Sequence, residues 1–261
     1  MSGQSPPQNH ATPNGTRWDM VVAYDTTTST NDAAVAWVDA HKNPHVVVTA
    51  REQTAGRGRL GRRWVHTATD GTVPDSLAVT VTLPAFEHAA QVPFATALAA
   101  YDTLYTFGVE PAVKWPNDLL LNGEKTAGIL VERVSVPPFD LLVIGTGFNV
   151  DWRGVTFPDA SRWTSVAHHV GDDVDQDVLL ARYLTRLHHW LDVLAGDDGN
   201  VTVLDTYRDR CDTLGQSVTV TLANGTTFTG MAEALTNSGE LLVRCDGTLE
   251  RVTSGDVWHN L

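Results

Sequence analysis

The 261-residue chain is long enough for one large domain, or for a large domain and a small one, and its formal net charge is −13 at pH 7. This acidity opposes general nucleic-acid binding, because it repels a phosphate backbone. Two cysteines without close spacing exclude a disulfide framework and a cysteine zinc site, which favours a reducing cytoplasm. No stretch approaches the ~20 apolar residues of a membrane span, so we expect no membrane partner.

The N-terminal residues 1–17 are polar, rich in Pro and Asn, and without the apolar core of a signal peptide. We expect a disordered tail there. Hydrophobic patterning predicts strands at 20–24, 45–51, 76–83, 112–115, 118–121, 125–133 and 140–150, and helices near 31–41, 91–107, 176–194 and 200–211. Hairpins outnumber βαβ units, which predicts an α+β domain over 18–212 with a mixed, mainly antiparallel sheet flanked by helices.

The character of the chain changes after residue 212. Short apolar strands are separated by the turn pairs Asn224-Gly225, Ser238-Gly239 and Asp246-Gly247. This spacing is typical of a small closed β-barrel. We therefore predict a second, C-terminal domain over residues 213–261.

The stretch 56–62, "GRGRLGR", contains the G-x-G-x-x-G pattern of dinucleotide-binding turns. The residues that follow have no helical period, so they do not supply the helix that such a turn opens, and no Lys-Ser/Thr follows for a Walker loop. A glycine-rich loop remains, and with the next residue it carries four arginines: Arg57, Arg59, Arg62 and Arg63. It suits a carboxylate or phosphate ligand, and a solvated basic loop is the alternative.

The segment "VKWPNDLLLNGEKTAGILVE" (113–132) predicts a hairpin around Asn122-Gly123. The predicted cross-strand pairs are Leu121 with Glu124, Leu120 with Lys125, Asp118 with Ala127 and Asn117 with Gly128. This register brings Lys125 back toward Lys114 and Asp118, although a plain hairpin with one surface lysine has the same pattern. In "GTGFNV" (145–150), two glycines inside a strand indicate close approach of a ligand or of backbone.

In this order, "STN" (29–31), "EQTAGRGRLGR" (52–62), "KWPNDLLLNGEKTAGILVE" (114–132) and "GTGFNV" resemble the motifs of the biotin protein ligases. The resemblance implies the class II synthetase-like fold of that family, followed by an SH3-like β-barrel. It also implies ATP-dependent activation of biotin to biotinyl-5'-AMP with release of pyrophosphate. Transfer of biotin to a lysine of a biotin carboxyl carrier domain follows, and the family normally needs Mg²⁺.

The resemblance also implies a role for each matching position. The residues expected to bind biotin are Ser29, Thr30, Asn31, Gln53, Gly56, Arg57, Gly58, Arg59, Lys125 and Gly128. The residues expected to bind ATP or the adenylate are Arg59, Arg62, Trp64, Lys114, Asn117, Asp118, Lys125 and Asn149. The expected catalytic residues are Arg59, Lys114 and Lys125, and Asp118 is the candidate for a magnesium ligand.

Two alternatives stay open on the sequence alone. One is a lipoate or octanoate ligase of the same fold, although those relatives lack the GRGRxGR loop. The other is a non-catalytic protein that senses biotin or binds nucleic acid. Because the catalytic pattern begins near residue 18, we expect no DNA-binding domain and no DNA partner. A homodimer through a strand of the central sheet is compatible with the family. Residues 65–76 depart from the family pattern.

Overall fold

The computed structural model describes residues 7–64, 71–156 and 162–260. Residues 1–6 of the predicted tail, and residues 65–70 of the segment that departs from the family pattern, lie outside the described residues. The helices are α1 Thr30–His41, α2 Val92–Tyr105, α3 Val166–Val170, α4 Gln176–Ala195 and α5 Gly199–Asp209. None of the helices in these ranges is long and apolar enough to cross a membrane.

Eight strands form the central sheet, in the order β1-β2-β3-β4-β8-β7-β6-β5. They are β1 Gln8–Ala11, β2 Met20–Thr27, β3 Val47–Gln53, β4 Asp75–Pro84, β5 Pro111–Lys114, β6 Asp118–Leu121, β7 Glu124–Val136 and β8 Phe139–Asp151. Only β2 and β3 are parallel among these neighbouring pairs. The predicted α+β class with a mixed, mainly antiparallel sheet is confirmed.

Helices cover both faces of this sheet because successive strand residues point to opposite sides. Val47 packs into the larger core, which also contains buried residues of α2, α4 and α5. Its neighbour Val48 packs into a smaller core with Ala34 and Val38 of α1. Helix α1 therefore lies alone on one face, and the strand residues beyond its N-terminus are left to line a cleft.

The C-terminal residues form a five-stranded antiparallel sheet in the order β12-β11-β10-β9-β13. The strands are β9 Ser217–Thr221, β10 Thr227–Leu235, β11 Leu241–Cys245, β12 Thr248–Val252 and β13 Asp256–His259. Trp115, between β5 and β6, donates from its indole Nε1 to Gly239 O at 3.0 Å and from its backbone to Thr213 Oγ1 at 2.9 Å. These bonds fix the C-terminal sheet beside the β5–β6 turn.

The prediction of a disordered tail is wrong for Gln8–Ala11, which pair with β2 as an edge strand. Their side chains are exposed, so backbone hydrogen bonds hold the strand without an apolar pattern in the sequence. The segment that connects this strand to β2 is anchored by Trp18, which is 1% exposed and donates from Nε1 to Thr82 O at 3.1 Å.

Candidate active site

A cleft of about 640 Å³ opens on the face of the sheet that carries α1. Strand β8 shows how it arises: Val143 packs under α1, and the next residues on the same face are Gly145, Gly147 and Asn149, which line the cleft. Two residues without side chains thus lower the floor of the cleft where the helix ends. The GRGRLGR loop, the β5–β6 turn and β13 form the other walls.

The described lining of the cleft is cationic although the whole chain is acidic. It contains seven arginine and lysine residues and three aspartates, against a net charge of −13 for the chain. Two of the three lysines in the sequence, Lys114 and Lys125, are among them. A cleft of one sign with low-dielectric walls attracts ligands of the opposite sign, so this one is suited to anions.

Buried polar groups surround the N-terminus of α1 at one end of the cleft. Gln53 Oε1 accepts from the Thr30 backbone at 2.8 Å and from Thr30 Oγ1 at 3.2 Å. Asn31 accepts from Thr80 Oγ1 at 2.7 Å and donates to Glu132 Oε2 at 2.6 Å. The Gln53 oxygen is therefore committed to the protein, which leaves its Nε2 group as a donor for a ligand oxygen. Ser29, also buried, lines the same end.

Trp64 lies flat against the glycine floor. A Cβ at Gly147 would lie 2.5 Å from its Cε2 atom, and one at Gly128 would lie 2.7 Å from its Cζ3 atom. Gly128 and Gly147 are register partners in β7 and β8, so together they form a bed for one planar ring. The Trp64 backbone N–H donates to Gly56 O at 2.8 Å, which ties the loop to this position.

The β6–β7 hairpin differs from its predicted register. Leu121 faces Glu124 and Leu120 faces Lys125 as predicted, but a bulge then pairs Asp118 with Gly128. The predictions of Asp118 opposite Ala127 and of Asn117 opposite Gly128 are therefore wrong by one residue. A bulge adds one unpaired residue to one strand, and the sequence carries no signal for it beyond the turn.

The bulge leaves Lys125 beside the carboxylate of Asp118, with Nζ 2.6 Å from Oδ1. Lys125 Nζ also lies 5.1 Å from the centre of the Trp64 ring. Lys114 is the register partner of Asp118 across the β5–β6 turn, so the charge of Asp118 acts on both lysines. Burial lowers the pKa of Lys114, Asp118 acts against this lowering, and Lys125 adds to it.

The arginines of the loop have different surroundings. Arg57 is bound by Asp32 at 2.6 Å and by Glu132 at 3.3 Å, and the hydrogen bond to Asp32 is the main cause of its raised pKa. Arg59 enters the cleft, where Nη1 donates to Asn117 Oδ1 at 3.3 Å and burial lowers its pKa. Of these two arginines, Arg57 is held by carboxylates, and Arg59 is therefore the one whose guanidinium can bind a ligand.

Asn149 holds the far end of the floor. Its Nδ2 group donates to Lys125 O at 3.1 Å and to Thr164 O at 2.8 Å. Its Oδ1 atom is buried and has no hydrogen-bond partner among the described residues. A buried oxygen without a partner is costly, so this atom is available to an N–H group of a ligand.

The cleft thus gathers every predicted site residue except Gly56, which lies behind the loop against Trp64. Sequence reasoning missed several lining residues: Arg162, Trp163, Asp212, Gln216, Asp256, Trp258 and His259. The first two flank Lys125 through a β-bridge, and the others lie in or next to the C-terminal sheet. No signal in the sequence indicates that this sheet reaches the cleft, because the contact is made only in the folded chain.

Comparison with known proteins shows which family the chain belongs to. The family described as "Biotin/lipoate A/B protein ligase family" matches residues 23–149, and that described as "Biotin protein ligase C terminal domain" matches residues 213–259. A biotin--[acetyl-CoA-carboxylase] ligase from Paracoccus denitrificans is 34% identical over 221 residues, which cover 81% of this chain and 89% of the relative. The chain belongs to the biotin protein ligase family.

Two further matches agree with this membership. A biotin--[acetyl-CoA-carboxylase] ligase from Mycobacterium tuberculosis is 34% identical over 219 residues, which cover 82% of this chain and 79% of the relative. The solved structure of a biotin protein ligase from Aquifex aeolicus in complex with biotin and ATP has the same fold, with a TM-score of 0.78 and 23% identity. The alignment covers 92% of this chain and 99% of that one. The protein is therefore an enzyme of the ligase family, and the predicted resemblance is confirmed.

Proposed function

We propose that this enzyme activates biotin with ATP and transfers it to a lysine of a biotin carboxyl carrier domain of acetyl-CoA carboxylase. The observation that carries the proposal is that the two ends of one cleft differ in chemistry: one is polar and uncharged, and the other is cationic. A polar pocket at the N-terminus of α1, beside the Trp64 ring on its glycine bed, suits a small uncharged ring. Beyond them, Arg59, Lys114 and Lys125 suit a carboxylate next to phosphates.

The biotin ring is proposed to lie beside Gly128 and the Trp64 ring that covers it, with its ureido group at the polar end. Gln53 offers its Nε2 group to the ureido oxygen, and Asn31 is held in one orientation by Thr80 and Glu132. The backbone of the loop at Gly58 and the guanidinium of Arg59 hold the tail carboxylate. Ser29, Thr30, Gly56 and Arg57 support this end, the last through its ion pairs rather than through a free guanidinium.

The nucleotide is proposed to lie beyond Lys125. Lys114, Arg62 and Lys125 face the phosphates, and Asn117 orients Arg59 between the two substrates. The unpartnered Oδ1 atom of Asn149 accepts from an amino group of the base. Asp118 is ion-paired with Lys125 until the phosphates replace it, and its charge also acts on Lys114.

In the first step, a biotin carboxylate oxygen bonds to the α-phosphorus while the bond to the bridging oxygen breaks and pyrophosphate leaves. Both reactants are anions, so the barrier falls when fixed cations neutralise them and hold them in line. Lys125 and Arg59 occupy the junction of the carboxylate and the phosphate. No protein nucleophile takes part, because the carboxylate is itself the nucleophile.

In the second step, the neutral amine of the acceptor lysine forms a bond to the carbonyl carbon of the biotinyl-adenylate, the bond from that carbon to the phosphate oxygen breaks, AMP leaves and the nitrogen releases a proton to solvent. The mixed anhydride reacts with water as well, so the cleft must exclude it until the acceptor arrives. Residues 54–64 are proposed to close over the adenylate for this purpose. Trp64 and Arg59 are the side chains of this loop that reach the floor.

Mg²⁺ is proposed to enter with ATP. The ion usually binds proteins through one or two carboxylates together with the substrate phosphates. The described residues contain no group of three or more potential metal ligands, and Asp118 is the carboxylate next to Lys114 and Lys125. A single nearby carboxylate fits an ion that is bound mainly by the phosphates of ATP. Such an ion would neutralise part of the phosphate charge.

Further proposals concern organisation and partners. Residues 18–212 are proposed as the catalytic domain and 213–261 as the C-terminal domain, in a protein of the reducing cytoplasm with two free cysteines. The net charge of −13 supports the absence of a DNA partner. A gel-shift titration tests this point, and a saturable shift on one DNA sequence would contradict it. A homodimer is a proposal that sedimentation can test.

ATP–pyrophosphate exchange tests the activity. The full chain is incubated with Mg²⁺ and either biotin, lipoate, octanoate or no acid. Exchange with biotin alone supports the proposal, and subsequent labelling of a carrier domain completes it. Exchange with lipoate or octanoate instead would move the enzyme to the related substrate class, and exchange with none of the acids would contradict catalysis.

A further inference from the structure

The last strand of the C-terminal sheet reaches the cationic end of the cleft. Asp256 of β13 forms a salt bridge with the Nη2 atom of Arg62. The ring of Trp258, two residues later, lies 5.6 Å from the Arg62 guanidinium carbon and 5.2 Å from Lys114 Nζ. One strand of the smaller domain thus contacts two cations of the larger one.

These contacts balance charge at this end of the cleft. Asp118 is paired with Lys125, and Asp256 is paired with Arg62. Burial lowers the pKa of Lys114, and the charge of Asp256 acts in the opposite direction. The two aspartates therefore stand where anionic ligand groups would otherwise compensate the cations.

We propose that Asp256 is an internal counter-ion that holds Arg62 at the cleft before ATP binds and yields it to the triphosphate of ATP. Trp258 is a positioning residue, because its half-exposed ring keeps Arg62 and Lys114 directed into the cleft. The inference rests on the proposed function only in taking ATP as the ligand of this cluster.

An internal counter-ion has an effect of defined sign on binding. Breaking its ion pair opposes the binding of phosphates, so its removal strengthens ATP binding. A residue that merely stabilises the C-terminal sheet would weaken binding or leave it unchanged. Adenosine carries no phosphate, so its affinity is independent of Asp256.

Isothermal titration of the full chain with ATP and with adenosine at low salt tests the inference. We expect Asp256→Asn to bind ATP about two- to fivefold more tightly than the wild type, the range for a partly exposed ion pair. Adenosine binding is expected to be unchanged. The matched control is Glu250→Gln, which removes one negative charge from an exposed position of β12 and is expected to change neither affinity.

Further variants distinguish a counter-ion role of Asp256 from a structural role. In the Arg62→Ala background, Asp256→Asn is expected to have a smaller effect than in the wild type, because its ion-pair partner is gone and only its longer-range effect on Lys114 remains. Trp258→Ala is expected to weaken ATP binding about two- to fivefold, and Trp258→Phe to restore most of it. Equal or weaker ATP binding by Asp256→Asn, or an equal change for adenosine, overturns the inference.

The exchange assay distinguishes a failure of the counter-ion proposal from a failure of the proposed ligase activity. Biotin-dependent exchange by the wild type together with unchanged ATP affinity in Asp256→Asn overturns the counter-ion and leaves the ligase. Tighter ATP binding in Asp256→Asn without any exchange by the wild type supports the counter-ion and overturns the ligase.

Discussion

The ammonium group of Lys125 lies 2.6 Å from the carboxylate of Asp118, on the neighbouring strand of a bulged hairpin. Both side chains are about one-fifth to one-quarter exposed, at 25% and 21%, so the pair is partly desolvated. Such a pair holds a cation in place without a ligand and can exchange its carboxylate for a substrate anion. The position of Lys125 is thus fixed before biotin or ATP binds.

Lys125→Asn is expected to reduce biotin-dependent ATP–pyrophosphate exchange by a factor of about 10² or more, the typical effect of removing one charge-stabilising group from an active site. The side chain at this position contacts the carboxylate–phosphate junction in the proposed mechanism. The measurement is kcat for exchange at saturating ATP and biotin.

The chain offers a matched control in Lys42, which caps α1 in a left-handed conformation far from the cleft. Lys42→Asn removes the same charge, and Asn tolerates this backbone conformation. We expect full exchange activity from it. Equal losses in both variants would show that the effect of Lys125→Asn is not specific to the cleft.

Gly147→Ala is expected to abolish biotin binding while the fold is retained. The added methyl group would lie 2.5 Å from the Trp64 ring and would push that ring off its bed toward the proposed biotin position. Because the floor consists of strand backbone, it cannot move away without breaking the β7–β8 pairing. Biotin affinity is measured by titration calorimetry, and thermal unfolding shows whether the variant is folded.

The control for this substitution is Gly196→Ala at the end of α4. Gly196 has a negative φ of −82°, and a Cβ there would meet Val193 O at 3.4 Å, an ordinary contact. We expect unchanged biotin affinity. Biotin affinity of Gly147→Ala equal to that of the wild type would show that the position of Trp64 on the glycine bed does not control biotin binding.

Much of the site could be predicted from the sequence because its signals are local. The Asn122-Gly123 turn, the paired glycines of β8 and the glycine–arginine loop each have a short-range pattern with a physical meaning. The bulge between Leu119 and Leu120, the strand Gln8–Ala11 and the approach of β13 had no such pattern. Each depends on backbone pairing or on contacts between distant segments, which composition and periodicity do not record.

The pH dependence of kcat/KM for ATP tests the role of Lys114. Burial lowers the pKa of this lysine, so its ammonium group loses its proton at a lower pH than an ordinary lysine does. We expect an alkaline fall in kcat/KM that begins below the usual lysine pKa of about 10.4. This parameter reports groups of the free enzyme, in which the lysine is not yet neutralised by phosphates.

Lys114→Arg provides the comparison, because a guanidinium group stays protonated throughout the accessible range. The alkaline fall is expected to shift to higher pH in this variant, whatever its absolute activity. A fall that stays at the same pH would assign the titration to another group.

Trp18→Ala tests how the N-terminal segment is held on the sheet. The side chain is 1% exposed, packs in the larger core and donates to Thr82 O. Its loss is expected to lower the free energy of unfolding by about 3–5 kcal/mol, the usual cost of emptying a large aromatic site. Urea denaturation measures this value. The matched control is Tyr105→Ala: Tyr105 is 60% exposed, so this substitution is expected to lower the free energy of unfolding by less than about 0.5 kcal/mol.

Because Trp18 lies outside the cleft lining, the folded fraction of Trp18→Ala should keep the biotin affinity of the wild type. Similar free-energy losses in both variants would mean that Trp18 is not the anchor of this segment.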